Sequence, residues 1–259
     1  MSNQINQSSM YPAGYIRYAF KMYVTHDRAI SCKLGHSNTN ELVLEKVNPA
    51  DEFDPEWHMT VHFGPVHSIE QVDEIGNAIK DDIFDLLSFT LNSKIAEIRL
   101  AGHGLTPRPG EGAIGHFLIP PFECKGTARS GGFRLSNDNV QEVKDALSTI
   151  SASRHKPLIS LFRHAIATDE PIIQFLILYL ILYDKFGNQP EVDRQIILHA
   201  PTTPQSISPH SGKPETIYTR LRNEIAHRAK VGPDATRAEI MNNLDRFRMI
   251  VHGILKSMA

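Results

Sequence analysis

At 259 residues, with 41% hydrophobic and 22% charged residues, the chain is long enough for one large domain or two modest ones, and its composition excludes wholesale disorder. A formal charge of -2 argues against a uniformly basic nucleic-acid binder and against an acidic scaffold. The charge is uneven: residues 201–259 hold nine Lys or Arg against five Asp or Glu, a balance of +4, while the first 200 hold eighteen against twenty-four, a balance of -6.

The leader "MSNQINQSSM" is polar and lacks the basic start and apolar centre of a signal peptide, so a soluble cytoplasmic protein is expected. "YIRYAFKMYV" (Tyr15 to Val24) is rich in aromatic and β-branched residues and reads as a strand. "ELVLEKV" (Glu41 to Val47) alternates apolar and charged positions as a half-buried strand does, and "HMTVHFG" (His58 to Gly64) reads as another. From Ser68 the period changes. Ile69, Val72, Ile75, Ile79, Ile83, Leu86 and Leu87 recur at three- and four-residue steps, which predicts a long amphipathic helix with Ser68 as its N-cap. "IAEIRLAG" (Ile95 to Gly102) returns to strand, and "AGHGLTPRPGEG" (Ala101 to Gly112) reads as a loop. Residues 1–135 are therefore expected to form a mixed α+β domain with a mainly antiparallel sheet and one long helix.

Residues 136–259 read as an all-α bundle. "SNDNVQEVKDALSTI" and "RHKPLISLFRHAIA" precede "DEPIIQFLILYLILYDKFG", a helix capped by Asp169, ended near Gly187, and apolar almost all round as the central helix of a bundle is. Its longest apolar run, Phe175 to Tyr183, falls short of the ~20 residues a membrane span requires. "PEVDRQIILHA" predicts a short helix, and "PTTPQSISPHSGKPE", with four prolines, a surface loop. A helix through "YTRLRNEIAHR" follows. The last helix, "TRAEIMNNLDRFRMIVHGILK", opens on a capping box from Thr236 to Glu239.

Most of the chemistry lies in "YTRLRNEIAHR", Tyr218 to Arg228. On a helical wheel Ile217, Tyr218, Leu221 and Ile225 share the arc that faces the bundle, with Arg220, Asn223 and His227 opposite and Arg222 at the edge. An imidazole exchanges protons near neutral pH, and a guanidinium offers a planar fork to a phosphate and stabilises charge developing on it. His227 is thus a candidate general acid/base, Arg222 a phosphate clamp and Asn223 the group that orients ring or substrate, with Arg220 and Arg228 as further candidates for phosphate contact. Such residues could promote attack of an RNA 2′-hydroxyl on the adjacent phosphate without a metal. An exposed helix face carrying the same residues is also an ordinary solvated surface.

"LRNEIAH" resembles the Arg-(polar)-x(3)-His signature of the HEPN superfamily, most closely its Apea-like branch. The match is Arg222, the polar Asn223, and His227 five positions after Arg222, with an apolar helix before the motif and an amphipathic helix after it. The resemblance covers about the last 100 residues. It implies a homodimer in which the motif helices meet, and a metal-independent endoribonuclease with no cofactor, or alternatively a non-catalytic dimerisation or ligand-binding module. More faintly, the two-part layout is similar to the J-protein family of methylamine-utilisation clusters, for which no activity is established.

Other constellations carry less. Cys32 and Cys124 are isolated and predict free thiols in a reducing compartment. His58 and His62 have H-x(3)-H spacing, but on a strand they lie roughly 13 Å apart, too far to share an ion. Trp57 is expected to pack in the core. His103, just beyond a predicted strand end, could line a pocket.

Overall fold

The computed structural model describes residues 11–26, 28–48, 55–107, 112, 114–117, 133–150, 156–209, 211–227 and 233–258. The chain divides into two compact units, Met1–Ser153 and Arg154–Ala259. In chain order the first unit contains β1 (Gly14–Met22), β2 (Val24–Thr25), β3 (Ile30–Cys32), β4 (Thr39–Lys46), β5 (Glu56–Phe63), α1 (Ile69–Thr90), β6 (Ile95–Leu105), β7 (Ile114–Phe117), β8 (Phe133–Arg134) and α2 (Asn137–Ser148). Six of the strands make one antiparallel sheet in the order β3-β4-β5-β1-β6-β7, and β2 and β8 form a short parallel pair.

The strands form where side chains alternate between an apolar and a polar face. In β5, Trp57, Met59, Val61 and Phe63 are fully buried, while His58 and His62 point to the other side. In β1, Ile16, Tyr18, Phe20 and Met22 join that buried face, and Leu42 and Leu44 of β4 extend it. Helix α1 covers it with Val72, Ile79, Ile83, Phe84 and Leu87, and Phe84 meets Tyr18 and Phe20 edge-on with centroids 6.2 and 5.1 Å apart. The expected cap is in place: the Ser68 hydroxyl accepts from the backbone N–H of Gln71 at 3.3 Å. Trp57 packs in this core, as its sequence context led one to expect.

The strand through Ile95 runs further than its sequence suggested. β6 continues to Leu105, so Ala101–Leu105 is strand rather than loop, because Gly102, His103, Gly104 and Leu105 pair with both β1 and β7. Pro107, which cannot extend the ladder, follows just beyond.

Along the chain the division falls between Ser153 and Arg154, so α2 belongs to the unit that holds the sheet. Val143, Leu147 and Ile150 lie in the first core. A close approach fixes α2 there. Gly35 donates its backbone N–H to the carbonyl of Leu147 at 3.1 Å, and a Cβ at Gly35 would come within 2.0 Å of the Ser148 carbonyl oxygen. Gly35→Ala is therefore expected to destabilise the first unit by about 1–3 kcal/mol through overpacking against backbone. Urea unfolding followed by the fluorescence of Trp57, the only tryptophan, measures this.

The second unit is mainly helical: α3 (Lys156–Ala167), α4 (Pro171–Phe186), α5 (Gln189–His199), a short antiparallel hairpin of β9 (Gln205–Ile207) and β10 (Pro214–Thr216), α6 (Ile217–His227) and α7 (Pro233–Lys256). The four-proline stretch is thus not wholly loop; it holds the hairpin. Glu170, not Asp169, caps α4: its carboxylate accepts from the Ile173 N–H at 2.8 Å, with Pro171 preset for the first helical position. Gly187 ends α4 in the left-handed conformation, φ 77°, that favours glycine. Thr236 and Glu239 form no capping box, because α7 begins a turn earlier at Pro233 and both residues sit inside the helix. Phe162, Phe175, Leu178, Leu182, Val192, Ile196, Tyr218, Leu221, Ile240, Phe247 and Val251 form the core of this unit. α4 is buried on one side only; Ile173, Leu180 and Tyr183 on its other side are 50%, 52% and 40% exposed. No helix among the described residues is long and apolar enough to cross a membrane.

Candidate functional site

The candidate residues sit on α6, which begins directly after β10. Thr216 caps it, its hydroxyl accepting from the Thr219 N–H at 3.3 Å. Tyr218, Thr219 and Leu221 are fully buried, while Ile217 and Ile225 are half-buried. The buried arc is therefore turned towards Thr219 relative to the one the apolar residues alone predict. A polar partner inside the unit accounts for the turn.

That partner is Asp193 of α5, itself buried. Its Oδ1 accepts from the Thr216 N–H at 3.1 Å, the Thr216 hydroxyl at 2.6 Å and the Thr219 hydroxyl at 2.7 Å. The Tyr179 hydroxyl of α4 lies 3.0 Å from Thr219 Oγ1. Because Thr219 gives its single hydroxyl proton to the carboxylate, Tyr179 must be the donor in that last bond. Burial above all pushes the Tyr179 phenol up to about 12, so it keeps the proton it donates. Asp193, Thr216, Thr219 and Tyr179 thus form a closed set of buried polar groups joining α4, α5, β10 and α6.

Arg222 lies against this set. Its guanidinium carbon stands 5.8 Å from the centroid of the Tyr179 ring, over the ring, within cation–π range. Its Nη1 donates to the Asn223 side-chain oxygen at 3.0 Å, and the Asn223 amide in turn donates to the buried Glu215 at 3.2 Å. Asn223 therefore braces the arginine. Among the described residues no carboxylate forms an ion pair with Arg222.

Arg220, two positions earlier, is placed quite differently. It pairs with Glu224 at 2.5 Å and with Glu239 of α7, and Glu224 also accepts from the Thr236 hydroxyl at 3.3 Å. Its charge is matched inside the helical unit, where it ties α6 to α7. His227 is the last residue of α6; its side chain lies outside the described residues, as does Arg228 entirely.

No protein-family model, curated protein or solved structure matches this chain.

Of the histidines singled out in the first unit, His58, His62 and His103 all lie on strands. His58 and His62 share the polar face of β5, and burial, followed by the nearby Arg17, holds the His58 imidazole below its ordinary value. His103, on β6, pairs through Nδ1 with Asp73 of α1 at 2.5 Å. Among the described residues no group of three or more His, Cys, Asp or Glu is arranged to hold a metal ion.

The sequence reading missed Asp193, Thr216, Tyr179 and Glu215. One signal for them was available: Thr216 stands immediately before a helix, at the position that side-chain oxygens favour. Nothing in the local pattern links it to residues twenty or more positions away.

Proposed function

We propose that the helical C-terminal unit is a HEPN-like ribonuclease that cleaves RNA without a metal ion, across a seam between two copies of the chain. Arg222 clamps the scissile phosphate and stabilises the charge that develops on it. His227 takes the proton of the attacking 2′-hydroxyl and returns one to the leaving oxygen, the exchange an imidazole performs near neutral pH. Asn223 holds the guanidinium at the angle in which its fork is presented.

The observation that carries this reading is the contrast between two arginines of one helix. Arg220 is neutralised by two carboxylates, whereas Arg222 is braced by an aromatic face and a neutral amide and has no ion pair among the described residues. A cation held in place by neutral groups keeps its affinity for an anion from outside.

The test is incubation of the purified full-length protein with single-stranded RNA in EDTA. Cleavage that leaves cyclic phosphate ends, and that His227→Ala abolishes, is the expected result. Absence of cleavage over a varied set of RNAs would overturn it. That outcome would favour the second reading, a non-catalytic HEPN-like module, for which the supporting observation is that the Asn223 side chain is engaged on both sides within its own chain.

A further inference from the structure

Asp193 is the one buried residue of α5 whose side chain is charged, and burying a carboxylate is costly unless donors surround it. Here three donors converge on a single oxygen. Helix capping needs only the Thr216 hydroxyl, which any surface threonine supplies. The rest of the arrangement runs in one direction: Asp193 fixes the Thr219 hydroxyl, Thr219 fixes the Tyr179 hydroxyl, and the Tyr179 ring carries Arg222 on its face. A tyrosine ring without the hydroxyl contact could slide or tilt within an apolar core; with it, the plane beneath the guanidinium is set.

We infer that Asp193 is a positioning residue for Arg222, acting through Thr219 and the Tyr179 ring. It touches neither substrate nor reacting atoms. Its part in catalysis rests on the ribonuclease reading above; its effect on the arginine does not. The carboxylate orders the two threonine protons, so every hydroxyl of the set has one fixed direction. Replacing the carboxylate by an amide weakens the acceptor and puts a donor in place of the other oxygen. Replacing Thr219 by valine keeps the shape and cuts the connection between Asp193 and Tyr179.

The experiment reads Arg222 directly, in full-length protein labelled with nitrogen-15 at arginine, with the Nε–Hε resonance of Arg222 assigned by its loss in Arg222→Lys. The Tyr179 ring current displaces this resonance upfield, and Tyr179→Leu should return it downfield. Asp193→Asn and Thr219→Val should each move it in the same direction by part of that amount, and Asp193→Asn should add nothing once Thr219→Val is present, because the two act along one connection. Glu239→Gln, which touches Arg220 instead, should leave it in place. A resonance unmoved by Asp193→Asn and by Thr219→Val in folded protein, or moved additively by the two, overturns the inference. Should Asp193→Asn fail to fold, Tyr179→Phe keeps the ring, leaves Asp193 and Thr219 bonded, and must still move the signal.

The second arm measures RNA cleavage. A misplaced clamp should lower kcat by roughly 10- to 100-fold in Thr219→Val with little change in KM. A wild-type protein that cleaves no RNA removes the ribonuclease reading alone, and the resonance arm then decides the positioning role by itself.

Discussion

Phe247→Ala is expected to lower the stability of the helical unit by about 3–5 kcal/mol, the usual cost of emptying a fully buried aromatic position. The ring of Phe247 is wholly buried and stacks on Tyr218 with centroids 4.3 Å apart and planes 17° from parallel. It also meets Phe175 at 5.1 Å and Tyr179 at 6.5 Å, so α7 touches both α4 and α6 through one side chain. Aromatic pairs of this kind add about 0.5–1.5 kcal/mol each beyond the area they bury. The Tyr218 hydroxyl has no hydrogen-bond partner among the described residues, so ring packing is what holds it. Against a typical domain stability of about 5–15 kcal/mol the loss is large. Thermal and urea unfolding followed by far-UV circular dichroism measures it, and Phe247→Leu should recover part of the loss by refilling the volume. A change below about 1 kcal/mol would show that this ring is not the centre of the packing.

The same ring links stability to the candidate site. Phe247 packs on the Tyr179 ring, and Tyr179 lies under Arg222. Even in the fraction of Phe247→Ala that remains folded, the surface supporting the guanidinium has lost a neighbour. On the proposed ribonuclease reading, RNA cleavage per folded molecule should therefore fall as well. A purely remote core position would leave it unchanged.

Which features could be read from the residues follows from the range of the interactions behind them. β1, β4, β5 and α1 were legible because their apolar period is local and sustained, and the Ser68 cap lies next to the period it starts. β3, β7 and the β9–β10 hairpin, at three or four residues per strand, are too short to show a period. The stretch "SNDNVQEVKDALSTI" was legible as helical, and Ser136 caps α2 with a capping box to Asn139, but neither says what the helix packs on. That depended on Gly35, a hundred residues earlier in the chain. At the site, the arginine, asparagine and histidine were visible as residue types, whereas the difference between Arg220 and Arg222 was not. It rests partly on Glu239, Glu215 and Tyr179, which lie outside the motif, and on which motif neighbour, Glu224 or Asn223, each arginine meets. Asp193 and its threonines were hidden for the same reason: polar residues read as surface until a partner far along the chain satisfies them.

That difference between the arginines gives the sharpest expectation. Arg220→Ala removes a cation shared by Glu224 and Glu239, whose side chains are 19% and 38% exposed, and leaves two like charges facing each other. The unit should lose about 1–2 kcal/mol, less than a fully buried pair would cost because water still reaches Glu239. Arg222→Ala removes a cation–π contact and one hydrogen bond to a neutral amide, together about 1–2 kcal/mol, so the two alanine variants should lose similar stability. For the RNA cleavage proposed above, the two variants should part. On that proposal Arg222→Ala loses the group that meets charge in the transition state and should cost roughly 100- to 1,000-fold in kcat. Arg220→Ala, corrected for the folded fraction, should stay within about threefold of wild type. Arg222→Lys separates charge from shape: it keeps the cation but loses the planar fork, and should fall between wild type and alanine. Unfolding curves and single-turnover rates on the same preparations test both columns at once. Equal losses of rate in the two alanine variants would mean that the arginines act alike through the stability of α6, and a clamp specific to Arg222 would no longer be tenable.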